Sequence, residues 1–294
     1  MLDLICAYEN YLSKVKQASS NTVSSYLRDI RQFAQWLADT EENAVVDATQ
    51  LNISDYLVYL EEDGRSGATV SRCLASLKNF YAYLVSSGFI EQTPVVDIHV
   101  ERGEKKIPSI LTGREIELLL AQPACVEPKG YRDKAMLEVM YATGIRVSEL
   151  IELNVEDVNI EQGIIKCSGH KKSRVIPLYP AALRALSTYL LEIRDVLVTS
   201  REENALFVNV SGSRISRQGF WKILKSYQAL AHIEKEITPH TLRHSFAVHL
   251  LENGADLNSL QELMGHSDIS STQMYTQMVN QKLRTVYDNC HPKA

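Results

Sequence analysis

Residues 240–275 read HTLRHSFAVHLLENGADLNSLQELMGHSDISSTQMY. Leu242, Phe246, Val248, Leu250 and Leu251 fall at spacings that predict a helix over 241–253 with a mainly buried face. Gly254 follows, where a glycine commonly ends such a helix. His240 and Arg243 lie three residues apart and share one face of its first turn. A helix N-terminus adds partial positive charge and backbone N–H groups beside them, so an imidazole, a guanidinium and a dipole converge in the outline of a phosphate site.

A second short helix, 257–264, closes on Gly265-His266, and Tyr275 stands nine residues after His266. Each residue alone has an ordinary explanation: H-x-x-R pairs arise by chance, His266 would serve as a helix cap, and Tyr275 is one of fourteen tyrosines. Their order carries the weight. H-x-x-R, then G-H, then Tyr resembles the second signature block of the tyrosine recombinases, or phage-integrase family, and PHTLRHSFAVHLL is most similar to the Xer-type bacterial chromosome-resolution recombinases. Upstream, residues 143–150 read TGIRVSEL and match the family's first block, T-G-x-R-x-S-E-L. Arg146 there stands at a predicted helix start, where a cation is electrostatically disfavoured unless an anion will sit beside it. Glu149, three residues on, is placed to orient Arg146, although an intrahelical pair explains it equally well.

Segments 163–167 and 174–178 read as the two strands of a β-hairpin. The resemblance implies a catalytic lysine on this hairpin, five residues before the proline of V-P or I-P. Counting back from Pro177 gives Lys172; the loop departs from the commoner G-K-G-N-K form, and adjacent Lys171 leaves the register open between the two.

Together these residues predict a metal-free, cofactor-free phosphoryl transfer. Tyr275 is the nucleophile, and its phenol, with an ordinary pKa of about 10, needs a base that His240 is placed to supply. Arg146 and Arg243 stabilise the charge gathering on the non-bridging oxygens, His266 adds a hydrogen bond, and Lys172 protonates the departing 5′ oxygen. The product is a covalent 3′-phosphotyrosyl bond that a free 5′-hydroxyl reverses without ATP. No Asp/Glu cluster suited to Mg²⁺ accompanies these motifs.

The remainder of the chain predicts a mainly α protein of two domains. With 294 residues, 45% hydrophobic and 23% charged, it can bury a sizeable core, and it shows neither a long apolar run nor a secretory pattern, so a cytoplasmic protein with no membrane partner is expected. Cys6, Cys73, Cys125, Cys167 and Cys290 are scattered without C-x-x-C spacing, which suits reduced thiols. Helical periodicity over 2–16, 20–37, 51–60 and 70–84 predicts a four-helix bundle in residues 1–90. By resemblance this is the SAM-like core-binding half of a DNA clamp. Residues 91–108, with Pro94, Gly103, Lys105, Lys106 and Pro108, read as a linker, and 109–294 as an α+β catalytic domain. In that domain, helices are expected at 112–120, 131–141, 180–196 and 214–231, and an edge strand at 205–208.

The formal charge of −5 argues against indiscriminate coating of DNA. Its distribution is uneven: residues 1–91 hold seven basic against twelve acidic side chains, whereas 92–294 hold twenty-four of each. Candidate DNA contacts are Arg28, Arg31, Arg65, Arg72 and Lys78 in the bundle, Lys105 and Lys106 in the linker, and Arg214, Arg217, Lys222 and Lys225 on the helix resembling the family's major-groove helix. The resemblance implies a double-stranded recombination site as substrate and a homo- or hetero-tetramer on DNA, with a C-terminal tail, 283–294, docking into a neighbouring protomer. It leaves open a second recombinase or a DNA translocase as further partners. Chromosome-dimer resolution at a dif-like site is the expected role, against integration of a mobile element, a type IB topoisomerase, or a non-catalytic DNA-binding regulator with no need of Tyr275.

Overall fold

The computed structural model describes residues 2–41, 44–100, 109–168, 173–200, 203–265 and 275. Lys105, Lys106, Lys171, Lys172, His266, Cys290 and the tail at 283–294 lie outside the described residues. The chain divides into two compact units, Met1–Lys106 and Ile107–Ala294.

In the first unit, α1 (Leu2–Asn10) continues through a π-helical turn, Tyr11–Val15, and is followed by α2 (Ser20–Glu41), α3 (Gln50–Glu62) and α4 (Gly67–Ser86). Polar side chains set the helix starts. The Thr49 side chain accepts from the Asn52 N–H and Asn52 returns the bond, while the Ser66 side chain accepts from the Thr69 N–H. The apolar stripes read from the sequence meet in one core that includes Tyr8, Leu27, Ile30, Phe33, Tyr56, Leu77 and Phe80. Its tyrosines are structural: Tyr8 donates to Asn79 and Tyr81 to the Val45 carbonyl.

The second unit runs α5 (Gly113–Ala121), α6 (Pro128–Thr143), α7 (Val147–Glu152), β1 (Val158–Asn159), β2 (Ile164–Ser168), β3 (Ser173–Pro177), α8 (Pro180–Thr188), α9 (Arg194–Leu197), α10 (Arg217–Leu230), α11 (Pro239–Glu252) and α12 (Leu257–Met264). The strands form an antiparallel sheet in the order β1-β2-β3, with Ile165 opposite Ile176 on its buried face. The expected hairpin thus gains a short third strand.

Two expectations differ from what is seen, for one reason. Residues 205–208 make only isolated bridges, Asn154 with Ala205 and Val208 with Arg214, rather than an edge strand. Most of their carbonyls are taken by side chains instead of a ladder: Arg194 donates to Ala205, the Tyr189 hydroxyl to Leu206 and Arg132 to Val208, while Phe207 accepts from the Ile215 N–H. The helix expected over 180–196 is interrupted by a π-helical turn at Tyr189–Ile193. Tyr189 and Arg194 are five apart, and the wider turn lets both face this segment. A third difference is the start of α10, which begins at Arg217 because the Ser216 hydroxyl accepts from the Gly219 N–H.

Candidate active site

The site is built on α7, α11 and the end of α12. The α6 helix ends on Gly144 in the left-handed region, φ 57°, where a Cβ would lie 2.2 Å from the Phe246 ring. Only glycine allows the chain to turn there with α11 so close. Two residues later Arg146 occupies the N-cap of α7, and its backbone N–H donates to Glu149 Oε2 at 2.7 Å. A carboxylate in the first turn of a helix thus satisfies the cap that Arg146 itself cannot.

Glu149 is the hub. Arg174, from β3, meets it bidentately, Nη1 to Oε1 and Nη2 to Oε2 at 2.9 Å each, while Arg146 Nη1 reaches Oε1 at 3.3 Å. Burial pushes the Glu149 carboxyl upward, but the bonds from Arg174 and the Arg146 N–H, with both charges, outweigh it and hold the group below the usual carboxylate range. Arg174 Nε also donates to the Leu263 carbonyl at 2.7 Å, and its guanidinium lies against Gly265. Gly265, φ 62°, ends α12; a Cβ there would come 2.7 Å from Arg174 Nη1. The glycine of G-H therefore makes room for the cation that supports the other half of the site.

Arg243 is 3% exposed on α11 and donates to the carbonyls of Gly144 and Met264, so it ties the α6 end to the α12 end. Burial first, then the charge of Arg146, brings its pKa down to about 10, which leaves it cationic at neutral pH. Arg146 keeps its side chain 41% exposed, with Nη2 on the Gly265 carbonyl at 3.2 Å. Tyr275, 1% exposed, packs with Phe246, Val248, Leu260 and Met264. Burial raises its pKa, opposed by Arg243 and Arg146.

The hydroxyl of Tyr275 lies 2.9 Å from Nδ1 of His244, a residue that the motif reading passed over. Exposed His240 stacks on His244 with ring centroids 6.2 Å apart. A signal was available in the sequence: His244 is four residues after His240 and so lies above it on the same helical face. Arg174 was likewise missed, although the alternation of the hairpin does not distinguish a supporting arginine from a solvated one.

The predicted residues therefore separate. Arg146, Glu149, Arg243 and Tyr275 come together, with His240 joined through His244, while Lys172 and His266 lie outside the described residues. Of the candidate DNA contacts, Arg28, Arg31, Arg217 and Lys222 are exposed. Arg214 is committed inside the unit: it donates to the carbonyls of Ile151 and Leu153, at the C-terminal end of α7, and to Asn154. Arg72 is engaged with buried Asp29 and with Ser25, Arg65 pairs with Asp63, Lys78 donates to the Ile98 carbonyl, and Lys225 lies 3.8 Å from Glu236.

Comparison with known proteins gives the family. Residues 109–282 match the model described as the phage integrase family, and residues 5–88 match the phage integrase N-terminal SAM-like domain. The chain belongs to the phage integrase family of tyrosine recombinases. It is a DNA strand-exchanging enzyme with a SAM-like helical unit and a catalytic unit that carries a small antiparallel sheet. Tyrosine recombinase XerD of Staphylococcus epidermidis is 40% identical over 295 residues, 100% of both chains, and XerD of Oceanobacillus iheyensis is 43% identical over 288 residues, 97% of each. Among solved structures, the XerH recombinase bound to a palindromic difH substrate in a post-cleavage complex shares the fold with TM-score 0.76 at 22% identity, over 95% of this chain and 82% of that one. A lambda integrase dimer bound to a COC′ core site does so with TM-score 0.73 at 19% identity, over 94% of each chain. Among the described residues of this recombinase no helix is long and apolar enough to cross a membrane.

Proposed function

We propose that this tyrosine site-specific recombinase cuts one DNA strand at a time with Tyr275, and that its role is chromosome-dimer resolution at a dif-like site. The carrying observation is the buried Tyr275 hydroxyl, hydrogen-bonded to an imidazole and within the field of Arg146 and Arg243. The two guanidiniums receive the charge that develops on the non-bridging oxygens, and Arg174 holds Glu149, which in turn holds Arg146. The Tyr275 proton passes to an imidazole of α11, His240 adds a donor near the phosphate, and Lys172 and His266 complete the set as general acid and hydrogen-bond donor. Rejoining by a 5′-hydroxyl then needs no ATP.

Full-length likeness to XerD supports a Xer-type recombination. The dif-like site and a homo- or hetero-tetramer on DNA with exchange of C-terminal tails extend that reading, which leaves open a second recombinase or a DNA translocase as a further partner. The exposed face of α10, with Arg217, Trp221 and Lys222, and the exposed Arg28 and Arg31 are the proposed duplex contacts, joined by Lys105 and Lys106.

The test is a nicked suicide duplex bearing a dif-like site, incubated without added metal and resolved on a denaturing gel. A covalent protein–DNA adduct that disappears in Tyr275→Phe is expected. Cleavage of an element end in preference to the dif-like site would move the role to integration.

A further inference from the structure

The residue that meets the nucleophile is not one of the six read from the motifs. Nδ1 of His244 stands 2.9 Å from the Tyr275 hydroxyl, with the ring centroids 5.5 Å apart. His244 sits one position after Arg243 in the second turn of α11, so the helix that supplies the phosphate-stabilising arginine also sets this ring. The Thr238 cap and the Ser245 hydroxyl, which accepts from the Leu111 N–H at 2.8 Å and donates to the Thr241 carbonyl, fix that turn from both sides.

We infer that His244 is the proton acceptor for Tyr275, with His240 reserved for the phosphate oxygens. The inference rests on the cleavage reading above and assigns a step within it. As Tyr275 Oη forms its bond to phosphorus, its O–H bond breaks and the proton moves to His244 Nδ1, giving an imidazolium. The P–O5′ bond breaks and the 5′ oxygen leaves with a proton from Lys172. Rejoining reverses each transfer, and the imidazolium returns its proton to Oη.

The groups that face His244 suit this role. His240 and Arg243 lie on its own helix and Tyr275 packs from the far end of the chain, with Arg146 acting on Tyr275 in turn. Burial, then the charges of His240 and Arg243, lower the His244 pKa to about 4, so the ring is neutral at physiological pH and free to accept. A phosphodiester arriving against Arg243 brings a negative charge that opposes this depression. Basicity at His244 therefore rises when DNA is bound, the moment at which the proton must move.

The experiment uses the full chain and the suicide duplex, with single-turnover rates of adduct formation measured between about pH 6 and 9. In His244→Asn the amide oxygen takes the place of Nδ1: it accepts the same hydrogen bond and cannot hold the proton. The expected result is a rate lower by ~10²-fold at neutral pH, within the usual range for losing a general base. DNA affinity and thermal midpoint should be unchanged. The variant's rate should also climb tenfold per pH unit, because only tyrosine that is already ionised reacts, where the wild type is nearly flat. A duplex with sulfur at the bridging 5′ position, whose thiolate leaves without a proton, should restore Lys172→Ala and not His244→Asn. A His244→Asn rate near wild type with a flat profile overturns the assignment, as does the climbing profile appearing in His240→Asn instead. No adduct from the wild type overturns the cleavage reading and this step with it.

Discussion

Two arginine clusters in the second unit are built to opposite rules. On α6, Arg132 and Asp133 close on one another: Nε and Nη2 donate to Asp133 Oδ1 at 2.9 and 2.7 Å, the third nitrogen reaches the Val208 carbonyl, and the Tyr227 hydroxyl donates to Asp133 Oδ2. One cation meets one anion. Around Glu149, by contrast, two guanidiniums, Arg146 and Arg174, share one carboxylate, and Arg243 stands near them with its pKa lowered first by burial and then by the charge of Arg146. The first cluster pairs each charge inside the fold; in the second, two cations share one carboxylate and Arg146 keeps its side chain 41% exposed. The ratio of cations to carboxylates, more than burial, distinguishes the two clusters.

The largest effect should therefore come from breaking the balanced cluster. Arg132→Met leaves Asp133 buried beside a methyl group, and a loss of ~3–5 kcal/mol is expected, read as a lower urea midpoint. Arg132→Met combined with Asp133→Leu should recover most of it. A single variant as stable as the wild type would erase the contrast. Arg243→Lys should show the reverse signature: suicide-substrate cleavage lower by ~10²–10³-fold, because an ammonium cannot hold two carbonyls and fork onto a phosphate, with a stability loss of about 1–3 kcal/mol, smaller than that of Arg132→Met. A variant that loses stability and keeps its rate would place Arg243 with the structural arginines.

That separation was only half legible in the sequence. Helical periodicity located the four helices of the first unit, because apolar spacing and capping act within a few residues, while the TGIRVSEL and HTLRH segments stood out by their resemblance to the family's signature blocks. The partnering of cations acts across the chain, and there local reading failed. Arg214, counted among basic groups for DNA, turns inward to the carbonyl of Ile151, 63 positions earlier in the chain. Arg174, two residues past the predicted lysine, proved to be the support of Glu149. His244 was hidden for a different reason: the H-x-x-R pattern directs attention to its two ends, and the next position matters only once Tyr275 has folded back onto it. The segment at 205–208 reads as a strand because Ala205, Leu206, Phe207 and Val208 are all apolar, and an apolar run does not reveal what takes the carbonyls.

Glu149→Gln tests the hub between the two rules. The amide keeps the shape and some hydrogen bonds but removes the charge that holds Arg146 and Arg174, so cleavage should fall by roughly 10-fold, as for loss of a supporting partner. The accompanying stability loss should depend on pH with a definite sign. The folded carboxyl titrates below its ordinary value of 4.5, so its contribution is fully present above that pH and disappears as pH falls through the lower folded value. The gap in urea midpoint between wild type and variant should be constant from about pH 8 to 5 and close below that. A gap that widens in acid would mean that Glu149 is protonated in the folded protein.

The smallest effect probes the exposed Arg146 guanidinium without any DNA. Sulfate raises the thermal midpoint of most proteins by exclusion from their surface, so its bare effect decides nothing. A bound sulfate adds a saturable contribution, about 1.4 kcal/mol at ten times its dissociation constant, or roughly 3–5 °C in a domain of this size. That increment should appear in the wild type and vanish in Arg146→Gln, whose side chain is the accessible member of the cluster, while both proteins share the exclusion baseline. Arg217→Gln, on the exposed face of α10, should keep it. Equal midpoints for wild type and Arg146→Gln at every sulfate concentration would mean that the exposed Arg146 guanidinium offers no anion site, and the contrast with Arg132 and Asp133 would fail at its root.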